Sequence, residues 1–256
     1  MKKNKLKEKI KNGGAGFGVI SPTADPIISE YIGLNGFDYY MIDGEHGPIS
    51  ISDVTNLVRA CELHGCTPLA RIRSVDKKLI LQYMDAGVMG VMMPSIDTAE
   101  DVKTLVDAIK YPPIGTRGLG PIRAADYMQG SMSQLEYVEF ANQETLVLPQ
   151  IETMTCVNNL EEICKVEGVD GFIIGPRDLA MSMGYYDGPG HPEVKEMLDR
   201  IFKTILDSGK FYGTVAGTSD RAQELIDKGA SMILNSVQGL IKGASKSFLS
   251  IQKPKT

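Results

Sequence analysis

Eight short apolar runs, spaced along the whole 256-residue chain, restrict the folds that this sequence can adopt. Each run is continuous rather than alternating, as expected for strands that are covered on both faces. Segments with helical spacing separate most of them. The runs lie at residues 16–21, 38–43, 67–72, 88–95, 145–152, 171–176, 211–217 and 231–237.

Three of the intervening segments show clear helical patterns. Residues 51–65 place Val54, Leu57, Val58 and Cys61 on one stripe, and residues 97–111 and 218–231 follow the same rule. Eight strands alternating with helices predict a single-domain (β/α)8 TIM barrel over residues 1–256. A doubly wound sheet is the alternative, but it usually has fewer strands and needs a switch point that the sequence does not reveal.

Charge and composition exclude several classes of function. The net charge is −5 and the basic residues are scattered beyond the first eleven positions, which argues against nucleic-acid binding. No apolar run approaches the ~18 residues of a membrane span. The Lys-rich start is predicted to be a solvated helix rather than a targeting peptide. The four cysteines lack a metal-binding spacing, which indicates reduced thiols and a cytoplasmic protein.

The connection between the fourth and fifth strands is unusually long, covering residues 96–143. A helix accounts for its first part, to about Lys110. The remainder, a loop over about 111–143, is rich in Gly and Pro, and loops of this length are commonly functional. With Arg117 and Arg123 on it, we expect a lid or a substrate-binding loop, although both arginines are equally consistent with surface positions.

Ionisable residues are concentrated where the predicted strands end. Active sites of this fold lie at the C-terminal ends of the strands, so the ends of strands two, three, five and six are expected to meet on one quadrant of the barrel mouth. The residues at these four ends are Asp43, Glu45, His46, Arg71, Gln150, Glu152, Arg177 and Asp178.

These residue types suggest metal-assisted chemistry on a 2-oxo acid. Glu152 and Asp178 form a hard oxygen site for Mg²⁺ or Mn²⁺, with positions left for water and a chelating substrate. The cation would act as a Lewis acid and stabilise an enolate, while Arg71 adds a fixed positive charge. His46 is suited to carry a proton.

Imine chemistry and nucleotide binding find little support. A Schiff-base aldolase needs a lysine at a strand end, and none of the eight runs contains one. Residues 216–219 and 235–239 are only weakly similar to the phosphate sites of other barrels. We therefore expect a divalent cation, no Schiff-base lysine and no nucleotide.

Six motifs in order resemble the HpcH/HpaI aldolase family of metal-dependent class II pyruvate aldolases. They are "GFDYYMIDGEHGP", "PLARI", "YPPIGTRGLG", "LPQIET", "EGVDGFIIGPRDLAMSMGY" and "HPEV", and the match covers roughly residues 14–248. The resemblance implies a (β/α)8 barrel whose last helix is exchanged between subunits, in a homo-hexamer built as a dimer of trimers. It also implies reversible cleavage of 4-hydroxy-2-oxo acids to pyruvate and an aldehyde, with Mg²⁺, Mn²⁺ or Co²⁺.

The resemblance assigns roles position by position. His46 matches the catalytic base, Arg71 the arginine that stabilises the transition state, and Asp85 an aspartate that raises the basicity of the histidine. Glu152 and Asp178 match the metal ligands. The remaining matches contact substrate: Gln150, and the turn Gly175, Pro176, Arg177 and Asp178, whose last two backbone N–H groups cradle the pyruvate carboxylate.

Two features complicate these assignments. Asp85 ends a predicted helix and should lie at the opposite face of a simple barrel, unless that helix is short or a neighbouring subunit is involved. Many family members carry one tryptophan after the strand-two "GFD" and another in the loop after the strand-three arginine, whereas this chain has none. The pyruvate half of the site is therefore expected to be intact and the aldehyde partner to differ.

Plainer interpretations stand beside the functional ones. Asp43 either supports the site or caps the loop after its strand, and Glu45 is better explained as an ion-pair partner than as a catalyst. Glu152 and Asp178 would be structural if they paired with Arg71 and Arg177. At the level of function, oxaloacetate decarboxylation at the same site and a non-catalytic 2-oxo acid binding protein are the alternatives to an aldolase.

Overall fold

Eight parallel strands close into a barrel, each hydrogen-bonded to the strands before and after it in the chain. The structure is a computed structural model, and it describes residues 2–250. β1 pairs with both β2 and β8, which closes the sheet. The strands are β1 Gly16–Ser21, β2 Tyr39–Gly44, β3 Thr67–Ile72, β4 Gly90–Met93, β5 Leu146–Ile151, β6 Gly171–Ile174, β7 Phe211–Val215 and β8 Met232–Ser236.

Helices surround this barrel on the outside. They are α1 Lys5–Lys11, α2 Pro26–Leu34, α3 Ile51–Leu63, α4 Lys77–Ala86, α5 Ala99–Ile109, α6 Gln134–Glu144, α7 Met154–Asn158, α8 Leu160–Cys164, α9 Pro176–Ser182, α10 Pro192–Asp207, α11 Ser219–Asp227 and α12 Val237–Phe248. The predicted (β/α)8 barrel is thus confirmed, and each strand lies within two residues of its predicted bounds. The predicted domain covers residues 1–256; of these, residue 1 and residues 251–256 lie outside the described part of the chain.

Local sequence explains where the helices begin. Thr98 caps α5 in a capping box: its hydroxyl accepts the backbone N–H of Asp101, and the Asp101 carboxylate accepts the backbone N–H of Thr98. Ser50 and Asp53 do the same for α3. The predicted apolar stripe of α3, Val54, Leu57, Val58 and Cys61, is fully buried against the sheet.

The barrel interior is packed rather than open. Tyr39, Met41, Leu69, Leu148 and their neighbours form an inner cluster, and Leu6 of α1 closes its N-terminal end. Gly18 is required here, because a Cβ atom at this position would lie 2.2 Å from the Tyr39 ring. The first helix is therefore anchored to the barrel by Leu6, whereas the sequence predicted only a solvated helix.

The segment between α5 and β5 differs from its prediction. Residues 134–144 form α6, and residues 123–128 form a short 3-10 turn, so the irregular part is shorter than 111–143. Because it follows the C-terminal end of α5, it lies at the N-terminal face of the barrel. Arg123 there donates to Glu62 and to the carbonyl of Ala86. A lid over the mouth of the same barrel is therefore wrong.

All four cysteines are buried free thiols. Within residues 2–250, no helix combines the length and apolar character that a membrane crossing needs.

Candidate active site

Two adjoining cavities occupy the barrel mouth, at the C-terminal ends of the strands. The first, of about 250 Å³, is lined mainly by acidic and hydroxyl side chains, together with His46. The second, of about 400 Å³, has an apolar wall that includes Ile20 and Val215. Arg71 and Asp178 line both cavities. The residues of the first are Glu45, His46, Arg71, Ser95, Glu152, Thr153, Asp178 and Ser182.

A bidentate ion pair connects the ends of β2 and β3. The strand register places Asp43 directly opposite Arg71. The Asp43 carboxylate accepts hydrogen bonds from Arg71 Nε at 2.9 Å and Nη2 at 2.7 Å, the strongest form of such a pair. Burial alone would raise the pKa of Asp43, but the hydrogen bonds and charge of Arg71 outweigh it and lower the pKa below 3.8. Arg71 is consequently charged and fixed in direction.

The same carboxylate shapes the turn that carries His46. Asp43 Oδ1 accepts the backbone N–H groups of Glu45 at 3.3 Å and His46 at 3.2 Å. Asp43 therefore both caps the loop after its strand and holds Arg71, so the two interpretations given for it are compatible. His46 itself projects from this turn with an exposed side chain.

Glu45 lies between the arginine and the histidine. Its Oε2 atom is 3.2 Å from Arg71 Nε and 3.8 Å from His46 Nε2. Glu45 is thus an ion-pair partner of Arg71, as expected from the sequence, and it also lines the first cavity. The sequence signal that this residue borders the site was its position between Asp43 and His46, directly after a strand.

Glu152, just beyond the end of β5, is buried with both carboxylate oxygens engaged. Oε1 accepts the backbone N–H of Ser95 at 2.9 Å, and Oε2 contacts the Gln150 side-chain amide. Burial raises the pKa of Glu152 above its usual range, and the charges of Asp178 and Glu45 raise it further, while Ser95 opposes the shift. Ser95, which the sequence did not single out, adopts a left-handed backbone with φ of 55° to present this N–H.

The turn after β6 brings backbone groups to the mouth. Gly175 caps α9 and Pro176 begins it, so the N–H groups of Arg177 and Asp178 belong to the first turn, where a helix leaves its donors unpaired. A Cβ atom on Gly175 would lie 2.8 Å from Gln150 Nε2 and 3.2 Å from Glu152. Gln150 Oε1 is buried without a hydrogen-bond partner among the described residues.

Neither predicted metal ligand forms an ion pair with a lysine or arginine in the described part of the chain. The structure therefore contradicts the structural alternative, in which Glu152 and Asp178 pair with Arg71 and Arg177. No group of three or more His, Cys, Asp or Glu residues in the range 2–250 is arranged as a metal cluster. Any cation here would rely on two carboxylates, water and substrate, which is the donor set that the sequence suggested.

Asp85 is not brought to the site at the mouth of this chain's barrel. It lies in the last turn of α4, at the N-terminal face, because the helix runs back along the barrel from the mouth. There its Oδ1 accepts a hydrogen bond from Arg117 Nη2 at 2.9 Å. The Arg117 guanidinium is buried and stacks on the Tyr111 ring at 4.5 Å.

Comparison with known proteins agrees with the resemblance. A sequence model of the HpcH/HpaI aldolase/citrate lyase family matches residues 17–241. The hydroxypyruvate/pyruvate aldolase of Cupriavidus necator is 35% identical over 240 residues, covering 93% of this chain and 88% of the relative. The 2-keto-3-deoxy-L-rhamnonate aldolase of Escherichia coli is 34% identical over 238 residues, with the same coverage.

Solved structures give the same result for the fold. The HpcH/HpaI aldolase from Desulfitobacterium hafniense superimposes with a TM-score of 0.88 at 26% identity, over 98% of this chain and 99% of that one.

Proposed function

Since this chain belongs to the HpcH/HpaI aldolase/citrate lyase family and is a carbon–carbon lyase of the aldolase type, we propose that it cleaves 4-hydroxy-2-oxo acids to pyruvate and an aldehyde. The reaction would depend on a divalent cation, Mg²⁺, Mn²⁺ or Co²⁺. The two relatives named above, a hydroxypyruvate/pyruvate aldolase and a 2-keto-3-deoxy-L-rhamnonate aldolase, carry 2-oxo acids in their names, which supports this class of substrate.

One observation carries this proposal: Glu152 and Asp178 share a cavity with Arg71 and His46, yet lack cationic partners among the described residues. Burial and the charges of Asp178 and Glu45 raise the pKa of Glu152, and the Ser95 N–H and the charge of Arg71 offset this rise only in part. Hard oxygen donors that lack compensation fit a divalent cation. When bound, the cation would polarise the keto oxygen as a Lewis acid.

The residues around this pair would hold the 2-oxo acid. The backbone N–H groups of Arg177 and Asp178 would donate to its carboxylate. The absence of a side chain on Gly175 leaves room beside them for the Gln150 and Glu152 side chains. Arg71, fixed by Asp43, would present a positive charge to the oxygen that becomes an oxyanion. Gln150, with an unpaired amide oxygen, would contact the substrate from the barrel interior.

His46 would move the proton. It takes the proton of the C4 hydroxyl, and the O–H electron pair forms the aldehyde C=O bond. The C3–C4 bond breaks, and its electrons pass into the enolate of pyruvate, whose oxygen faces Arg71. Addition of a proton to C3 then completes pyruvate.

Two features of the chain support assembly into a homo-hexamer. α12 carries Ile241 and Phe248 as exposed apolar side chains, which supports exchange of this helix within a homo-hexamer. Asp85, held by Arg117 at the N-terminal face, would then act on a neighbouring subunit's mouth, together with part of segment 111–143. Cytoplasmic location remains a prediction from the cysteines.

The test is pyruvate release, coupled to NADH oxidation, from a panel of 4-hydroxy-2-oxo acids and oxaloacetate. It uses protein treated with EDTA and then given Mg²⁺, Mn²⁺ or Co²⁺, with Glu152→Ala and Arg71→Ala as variants. We expect release that depends on the cation and is lost in both variants. If oxaloacetate alone reacts, the result would favour decarboxylation. If no compound releases pyruvate and calorimetry detects no cation binding, the proposed cation-dependent cleavage is refuted.

A further inference from the structure

We propose that Cys66 and Cys61 form a redox-active thiol pair, in which a peroxide oxidises Cys66 and Cys61 then closes a reversible disulfide with it. The pair lies at the N-terminal face of the barrel, where α3 ends and β3 begins. This is the opposite end from the mouth, and the chemistry of the pair does not involve the proposed aldolase reaction.

The end of α3 brings the two cysteines together. The backbone N–H of Cys66 donates to the carbonyl of Cys61 at 3.1 Å, and the N–H of Gly65 donates to the carbonyl of Glu62 at 3.4 Å. Gly65 has the left-handed φ of 70° that this type of helix ending needs. These are the two bonds of a Schellman motif, which packs the side chain after the glycine against the last turn of the helix. Both of these contacting positions are cysteines here.

Cys61 is the protected member of the pair. Its side chain is fully buried. Contact with the Cys66 thiol, and then burial, raise the pKa of Cys61 well above its usual value. At neutral pH Cys61 is accordingly a protonated thiol, which reacts poorly with peroxide because the thiolate is the nucleophile. Such a thiol still condenses with a sulfenic acid beside it.

Cys66 is the member that a small oxidant can reach. It is 3% exposed and lines a surface cavity of about 460 Å³ at the N-terminal face. Lys2, Lys3 and Lys5 line the same cavity, and the Lys5 amine lies against Gly65, next to Cys66 in the chain. Ammonium groups stabilise the negative charge on a reacting sulfur. Cys66 is therefore the expected first site of attack.

The reaction consumes one hydrogen peroxide and releases two water molecules. The peroxide transfers one oxygen atom to the Cys66 sulfur, which gives a sulfenic acid and the first water. The Cys61 sulfur then attacks the Cys66 sulfur, the S–O bond breaks, and the Cys61 proton leaves with the hydroxyl group as the second water. Two thiols are oxidised to one disulfide, and a thiol reductant such as dithiothreitol restores both.

The other two cysteines of the chain are a matched control. Cys156 and Cys164 are also buried, and burial raises the pKa of both thiols, that of Cys156 to about 12. They lie in two successive helices, α7 and α8, rather than across one helix end. Trypsin releases each pair in a single peptide, residues 60–71 for the proposed pair and residues 124–165 for the control pair.

The test treats the reduced, folded protein with hydrogen peroxide, blocks the remaining thiols with N-ethylmaleimide in urea, and analyses the tryptic peptides by mass spectrometry. We expect peptide 60–71 to lose two hydrogen atoms and escape the label at least about 10-fold faster than peptide 124–165 is oxidised. Dithiothreitol should restore both thiols. Equal rates for the two peptides would overturn the proposal, as would oxidation of peptide 60–71 to sulfinic acid without a disulfide.

Single substitutions identify the sulfur that reacts first. In Cys61→Ser, the Cys66 sulfenic acid has no second thiol beside it and should be trapped by dimedone. In Cys66→Ser, peptide 60–71 should take up at least about 10-fold less dimedone, because the remaining thiol is protonated and enclosed. Labelling in the reverse order, or in neither variant, would overturn the assigned order of attack.

Oxidation in urea shows whether the fold is responsible. In the unfolded chain each pair is separated by a short loop, so the two peptides should be oxidised at rates within about threefold of each other, the difference that loop length gives. If peptide 60–71 keeps an advantage of about 10-fold in urea, its reactivity comes from sequence spacing. The end of α3 would then not be the cause, and the proposal would be overturned.

Discussion

The two ends of the barrel treat their charges in opposite ways. At the N-terminal face, Lys7 pairs with Asp170 at 2.6 Å and Arg123 with Glu62 at 2.5 Å. The buried amine of Lys110 there donates to three oxygens. At the mouth, Arg71 pairs with Asp43 and Glu45, but Glu152 and Asp178 form no ion pair with a cation among the described residues. One end therefore uses charge to hold the fold together, and the other keeps charge available for a ligand.

The largest effect that distinguishes the two ends is expected from Glu152→Gln. Loss of one of two cation-binding carboxylates should reduce pyruvate release about 10³-fold. Stability should not fall, because the substitution also removes a buried charge repelled by Asp178 and Glu45. Coupled kinetics and thermal unfolding of the cation-free protein measure both quantities. A large drop in melting temperature would show that Glu152 is a structural residue.

Lys110→Met makes the complementary change at the other end. The backbone carbonyls of Asn142 and Thr145 and the Thr145 hydroxyl lose a buried donor, although the Thr145 carbonyl keeps a second one, Lys7 Nζ at 3.2 Å. We expect about 2–3 kcal/mol of stability to be lost, since unpaired buried acceptors are costly. Activity per folded molecule should be unchanged, because Lys110 is remote from the mouth. Urea unfolding and active-site titration measure the two effects.

The same lysine has a signature in the pH dependence of stability. Burial lowers the pKa of Lys110 from 10.5 to about 8. Between these values the unfolded chain binds more protons than the folded one, so this residue makes stability rise with pH across that window. The rise should be smaller in Lys110→Met, and identical profiles would show that the ammonium is not shielded from water.

The sequence predicted the barrel well because its signals are local. Continuous apolar runs identified all eight strands, and the strand ends brought Asp43, Arg71, Glu152 and Asp178 together without further information. What failed required knowledge of three dimensions. The segment after α5 was placed at the mouth because its length suggested function, whereas the direction of α5 places it at the opposite face.

Two site features had no signal that a pattern could detect. The backbone at Ser95 is left-handed, but the residue is not glycine, so the sequence does not mark this conformation. The hydrogen bond from Ser95 N–H to Glu152 depends on how β4 and β5 are aligned. The double contact of Glu45 depends on a side-chain direction set by Arg71. Both are consequences of packing rather than of spacing.

A smaller effect is expected where the mouth is crowded. In Gly175→Ala, the added methyl group must displace the Gln150 amide and the Glu152 carboxylate, which lie 2.8 and 3.2 Å from its position. We expect cation affinity and KM for the 2-oxo acid each to worsen about 10-fold, roughly 1.4 kcal/mol. Gly217→Ala is the matched control, since a Cβ atom there meets nothing within 4 Å. Equal calorimetric affinities in the two variants would contradict the crowding.

The smallest expected effect tests whether the mouth contributes to stability at all. The pKa of Asp43 is lowered below 3.8, because Arg71 outweighs the opposing effect of burial. A carboxyl whose pKa is lower in the folded state stabilises the protein above pH 3.8, and this contribution is lost as pH falls through the folded value.

In Asp43→Asn, the loss of stability at acid pH should therefore be less steep than in the parent. The reason is that the amide introduced by this substitution has no proton to gain, although it also removes the bidentate partner of Arg71, which keeps only Glu45, and lowers stability near pH 7. Guanidinium unfolding between about pH 2 and pH 7 separates these two effects. If the variant and the parent lose stability in parallel as pH falls, the Asp43–Arg71 pair serves the site alone, and the contrast between the two ends of the barrel is complete.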